Sequence, residues 1–202
     1  MTARTPPAFT SFTQNADAPG LVPADVHVTA YEVDRIQAIS GAPPPEVCAG
    51  RRLWRLEAAG RLPLPEAPFI GATTHVMYTD SATRGELAQL SRGESGPLAV
   101  LIPIRKTPEW WALGSEQRQA YVMDGRPTGH VTIGRRYAGR IYRRLYQARY
   151  LPGSEWDFLT YFELSADDLQ AFLDLLGELR DVARNPEWAF VDRELELWMT
   201  RL

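Results

Sequence analysis

Hydrophobic and polar positions divide the chain into two halves of different rhythm. In the first half, Phe9 to Phe12, Val26 to Val33, Leu53 to Leu56 and Phe69 to Tyr78 are rich in aromatic and β-branched residues. Breaks such as Gly41-Ala-Pro-Pro-Pro45 separate them, the pattern of strands joined by turns. A short helix is expected from Ser81 to Leu90, with Ser81 able to cap its first amides, and Gly93 and Gly96 end the unit. A domain boundary near residue 95 follows, giving a sheet-rich half, 1–95, and a second half, 96–202.

The second half is more strongly patterned. Leu98-Ala-Val-Leu-Ile-Pro-Ile104 is a continuous apolar run of strand length, and Thr107-Pro108-Glu109 opens a helix that carries Trp110, Trp111 and Leu113. After a break at Gly125 to Gly129 come His130, Gly134 and Gly139, then a strand within 140–150 in which Ile141, Arg143 and Leu145 alternate with Tyr142, Arg144 and Tyr146. Gly134 and Gly139 allow the chain to turn, so that His130 ends a helix and Arg143 points inward from the next strand. Trp156, Phe158, Thr160 and Phe162 fall on one face of another strand. Ser165-Ala-Asp-Asp168 reads as a capping box ahead of a helix with Leu169, Phe172, Leu173, Leu176 and Leu179 on its apolar face, and a strand from Phe190 to Met199 closes the chain. The order strand, helix, strand, strand, helix, strand is that of a ferredoxin-like unit, whose sheet has one face covered by helices. The expected class is therefore α+β, and the sheet-rich first half could cover the other face.

Composition narrows the chemistry. A net charge of -3 over 202 residues gives no global reason to expect nucleic acid or an anionic membrane. The start has no apolar run of signal-peptide length and no stretch is long enough to span a bilayer, so a soluble, cytoplasmic protein is expected. The single cysteine, Cys48, excludes an internal disulfide, a zinc site of cysteine pairs and the paired-cysteine attachment of a c-type haem. With only His27, His75 and His130 present, no multi-histidine metal site offers itself.

Four separated stretches resemble the chlorite dismutase family, in particular its short-chain, dimeric branch. They are Leu101-Ile-Pro-Ile-Arg-Lys-Thr-Pro-Glu-Trp-Trp111, Tyr142-Arg-Arg-Leu-Tyr146, Asp157-Phe-Leu-Thr-Tyr-Phe-Glu163 and Glu187-Trp-Ala-Phe-Val-Asp-Arg-Glu-Leu-Glu196. The resemblance implies tandem ferredoxin-like units in a dimeric α+β barrel type fold, with noncovalent haem b in the C-terminal unit. It implies decomposition of chlorite to chloride and dioxygen by a homodimer. His130 would be the iron ligand and Arg143 the distal arginine that holds the oxyanion. Glu187 would accept a hydrogen bond from the imidazole, with Glu178 in reserve. Lys106 would belong to the same network, Tyr78 would lie near a haem propionate, and Trp110 and Trp111 beside the porphyrin. Two other readings stay open at this point: another haem-dependent activity of the superfamily, peroxidase or coprohaem decarboxylase-like, and nucleic-acid binding by the arginines and tyrosines between Arg135 and Tyr150.

Overall fold

The computed structural model describes residues 8–73, 82, 96–123 and 129–202. Eight antiparallel strands form one closed barrel: β1 (Ala8–Thr13), β2 (His27–Ser40), β3 (Arg52–Ala59), β4 (Phe69–Ala72), β5 (Leu98–Lys106), β6 (Tyr142–Gln147), β7 (Phe158–Leu164) and β8 (Val191–Arg201). Around the barrel they run β1, β3, β2, β8, β5, β7, β6, β4. Each half thus has the same internal order, second, third, first, fourth, and the halves join where β2 pairs with β8 and β4 with β6. Among the described residues the β4–β6 seam is a single pair, Ala72 with Gln147.

The helices among the described residues are α1 (Ala18–Leu21), α2 (Pro108–Ala112), α3 (Ser115–Met123), α4 (His130–Tyr137) and α5 (Leu169–Arg180). None is long and apolar enough to cross a membrane.

Strand alternation separates an inner core from outer ones, of which the one beside the second half positions the site. Phe12, Tyr31, Leu53, Phe69, Leu101, Tyr146, Leu159, Tyr161, Leu195 and Leu197 fill the barrel. Val100, Ile102, Ile104, Ile141, Phe162 and Leu164 face outward and meet Ile133 of α4 and Phe172, Leu175, Leu176 and Leu179 of α5. Burying each large apolar side chain of α5 contributes on the order of 1.5–3 kcal/mol, enough to fix that helix against the sheet.

Several expectations are corrected in detail. Trp156 lies before β7 and packs against Phe69 inside the barrel, so it does not share the outer face of Phe158 and Phe162. Leu173 is exposed, its place on α5 being taken by Leu175. Ser165 and Asp168 bond one another, Oγ to Oδ2 at 2.7 Å, across a 3-10 turn rather than capping backbone amides. Cys48 and His27 are exposed. His75, Tyr78 and most of the helix expected from Ser81 lie outside the described residues.

Candidate functional site

A cleft opens on the outer side of the second half, between α4, α5 and the sheet. It is lined by His130, Val131, Gly134, Tyr137, Ala138, Ile141, Arg143, Phe162, Leu175 and Leu179, with about 840 Å³ of empty space, its open mouth included. The floor comes from β6 and β7, and α4 supplies one wall. Along α4 the cleft residues are His130, Gly134 and Tyr137, followed by Ala138 and Ile141, so one helical face and its continuation run down the cleft.

Glycines shape that wall. Gly129 has φ +113°, a conformation L side chains rarely adopt, and it is buried at the start of α4. The helix can therefore begin only after it, and His130 opens α4 instead of ending a helix as expected. Gly134 lies within α4 and does not break it. A Cβ added there would meet nothing within 4 Å, because it would project into the open cleft. The turn that the sequence demanded falls later, at residues 138–140, where the amides of Arg140 and Ile141 both donate to Tyr137 O.

Behind His130 stands a buried ion pair. His130 Nδ1 is 2.8 Å from Glu187 Oε2, and Lys106 Nζ is 2.8 Å from Glu187 Oε1. Nδ1 and Oε2 are close, but the ring N–H is not aligned on the oxygen, which leaves both atoms short of a well-formed hydrogen bond. Glu187 belongs to a 3-10 turn, Pro186–Phe190, held at both sides. Asn185 donates its side-chain amide to Leu179 O at the end of α5, and the Thr107 amide after β5 donates to Phe190 O. Burial alone would raise the Glu187 carboxyl; Lys106 and His130 more than offset it and hold the group far below its usual range. The carboxylate is therefore charged throughout the physiological range. The reserve candidate, Glu178, points elsewhere, to Tyr137 Oη at 2.7 Å, Arg136 and Arg184.

Arg143 occupies β6 on the outer face of the barrel, because Tyr142 and Tyr146 take the inner face. It points into the cleft, not into the barrel. Its side chain is exposed to solvent, yet surrounding protein desolvates it enough to lower its pKa, with the Glu187 charge opposing. Both follow from a guanidinium on the floor of an open cavity. Among the described residues Arg143 has no hydrogen bond or salt bridge, whereas its neighbour Arg144 is paired with Glu57 at 2.7 Å.

Neither Trp110 nor Trp111 lines the cleft itself. Trp110 is fully buried among Tyr121, Phe190 and Lys106. Trp111 stacks on Phe158, takes Arg149 over its ring at 3.8 Å and donates to Asp157 Oδ2 at 3.2 Å. Trp188 was not singled out from the sequence, yet its ring lies 5.2 Å from Lys106 Nζ. Its position next to Glu187 was the available signal.

The donor set suits a single flat metal complex. One imidazole faces the cleft, a charged carboxylate stands behind its far nitrogen, a glycine leaves the adjacent wall free, and a cation waits on the floor. No group of three or more His, Cys, Asp or Glu among the described residues could hold a bare metal ion.

Known proteins carry the same arrangement of chain. A sequence profile of the chlorite dismutase family matches residues 48–191. Chlorite dismutase of Ideonella dechloratans is 32% identical over 93 residues, which are 46% of this chain but only 30% of that protein, so the match spans under a third of that relative. The crystal structure of a dimeric chlorite dismutase from Nitrobacter winogradskyi superposes with a TM-score of 0.71 at 26% identity, covering 87% of this chain and 100% of that one. A mutant chlorite dismutase from Candidatus Nitrospira defluvii gives 0.67 at 20% identity over 99% of this chain and 93% of its own, a likeness of fold alone. With the profile spanning well over half of its length, the chain belongs to the chlorite dismutase family.

Proposed function

We propose that this chain binds haem b noncovalently in the cleft and decomposes chlorite to chloride and dioxygen. The observation that carries the reading is that His130, backed by the Glu187–Lys106 pair, and Arg143, without a protein partner among the described residues, line one cleft. Haem would supply a redox-active iron able to cleave an oxygen–chlorine bond. His130 would bind that iron through Nε2, and Glu187 would fix the ring and raise its basicity by accepting from Nδ1. Lys106 keeps the carboxylate charged. Gly134 and Ala138 leave room along α4.

Arg143 would bind the chlorite anion, since its planar fork can give two parallel charge-assisted hydrogen bonds. It would then retain the chlorine oxyanion fragment until the oxygen–oxygen bond forms. Once haem covers the cleft, the attraction of this guanidinium for an anion would be less screened than in open solvent.

Arg143 also favours chlorite chemistry over the decarboxylase-like alternative, which the resemblance associates with a missing distal arginine. The nucleic-acid reading finds little support, because Arg136, Arg140, Arg144 and Arg149 are paired with Glu178, Asp168, Glu57 and Asp157. The repeated strand order supports reading the halves as tandem ferredoxin-like units meeting near residue 95. The likeness to a dimeric relative supports a homodimer. Reconstitution with haem b, followed by oxygen-electrode traces on adding chlorite, tests the activity: oxygen release supports it, and a haem-loaded protein that releases none refutes it.

A further inference from the structure

A second buried ionic cluster stands outside the cleft. On the outer face of β8 the carboxylates of Glu194 and Glu196 are both buried and share one guanidinium. Arg180 donates to Glu194 Oε1 from Nε at 3.0 Å and from Nη2 at 2.5 Å, and Nη2 lies 2.6 Å from Glu196 Oε1. The remaining oxygen of Glu194, Oε2, accepts from the indole N–H of Trp188 at 3.3 Å. Trp188 follows Glu187 in the same turn, and its ring lies 5.2 Å from the ammonium of Lys106, with the ring of Trp110 at 5.0 Å.

We infer that Glu194 is a positioning residue for the metal ligand: by holding Trp188 it fixes the Lys106–Glu187 pair behind His130, and so tunes the electron donation of His130 to iron. This rests on the haem reading above. The order of groups is Arg180, Glu194, Trp188, Lys106, Glu187 and His130, in which cations and anions alternate around an indole. A carboxylate accepting the indole N–H orients the ring and enriches its face in electron density, which strengthens its attraction for the Lys106 cation. Flanked by two aromatic faces, that ammonium has Glu187 as the anion within reach. A shift of Trp188 would therefore loosen Lys106, then Glu187, then the basicity of the imidazole.

The test compares the parent, Glu194→Gln, Trp188→Phe and Glu196→Gln, each reconstituted with haem b. It measures the iron reduction potential by spectroelectrochemistry, haem affinity by titration, and melting of the haem-free protein. Glu194→Gln removes the charge at constant size, and Trp188→Phe removes the N–H while keeping an aromatic ring. Both should retain haem, with affinity lowered by at most roughly tenfold, and both should shift the potential upward as His130 donates less. Glu196→Gln removes one charge from the same cluster without touching Trp188, and should shift the potential less than either. Parental potentials in Glu194→Gln and Trp188→Phe overturn the inference, and so does an equal shift in Glu196→Gln, which would mean bulk charge alone. Should Glu194→Gln fail to fold, Trp188→Phe decides by itself. A parent that takes up no haem overturns the haem reading, and is distinguishable because no Soret band forms.

Discussion

Nδ1 of His130, at the first residue of α4, stands 2.8 Å from Oε2 of Glu187, in the turn that leads into β8. A helix start and a strand start thus converge on one buried contact, with Lys106 at the end of β5 as the third member. The imidazole is held from the protein side, and its other nitrogen is left to the cleft.

The first prediction follows from that arrangement. His130→Ala should lose haem or hold it weakly with an altered spectrum, whereas His27→Ala, at an exposed strand position, should leave the spectrum unchanged. Haem titration followed in the Soret region decides. A normal five-coordinate histidine spectrum in His130→Ala would remove His130 from the site.

Arg143 should be separable from haem binding. Arg143→Ala should keep fold and haem but lose charge-assisted hydrogen bonds to chlorite worth about 1.5–3 kcal/mol, or roughly one to two powers of ten in affinity. Bleaching during turnover should quicken, and methionine as a hypochlorite scavenger should protect the variant more than the parent. Lysine at this position should rescue only in part, keeping charge but not the planar fork. Steady-state oxygen release with and without methionine measures this, and parental behaviour of Arg143→Ala would make the residue a bystander.

Gly134 tests the shape of the cleft. Gly134→Ala should stabilise α4 by about 0.5–1 kcal/mol, since the added methyl meets nothing within 4 Å and the helix loses a flexible residue. Gly134→Leu should melt no lower than the parent yet bind haem poorly, because its side chain would fill the cleft. Thermal melts of the haem-free proteins beside haem titrations check it, and tight haem binding by Gly134→Leu would argue against a porphyrin along this wall.

The Glu187 carboxyl gives a pH signature in the haem-free protein. Its folded pKa is depressed below the unfolded value of about 4.3, so its stabilising contribution is complete above that pH and is lost as pH falls toward the folded pKa. Glu187→Gln should be destabilised by about 3–5 kcal/mol at neutral pH, where Lys106 is left without its anion. The gap to the parent should narrow as pH falls below about 4. Urea unfolding from pH 3 to pH 8 measures both curves, and a gap that stays constant with pH would contradict the pairing.

The barrel core and the cleft were legible in the sequence to different degrees. β5 to β8 were foreseen from continuous or alternating apolar residues, and the outward face of β7 followed from Phe158 and Phe162. Trp156 was misplaced because alternation was extended across residues that precede the strand. Arg143 was assigned to the correct strand, but a strand with aromatics on one face and an arginine on the other does not say which face is the barrel interior, and only the fold shows Arg143 on the cleft side. Helix α3 was missed because of its residues only Val122 is buried, too few to make a periodic stripe. The Glu187 choice needed three dimensions, since only the fold shows Glu178 turned to Arg136 and Arg184.

Assembly is checked by light scattering. The likeness to a dimeric relative leads to an expected mass of two chains in solution. A monomer, or a five-fold ring, would refute it.

The most direct test is oxygen release from chlorite by the haem-reconstituted parent, beside His130→Ala treated in the same way. The parent should take up haem and evolve dioxygen, and the variant should do neither. A parent that holds haem through His130 and yet evolves no oxygen from chlorite would contradict the proposed activity, and oxygen release undiminished in His130→Ala would contradict the site.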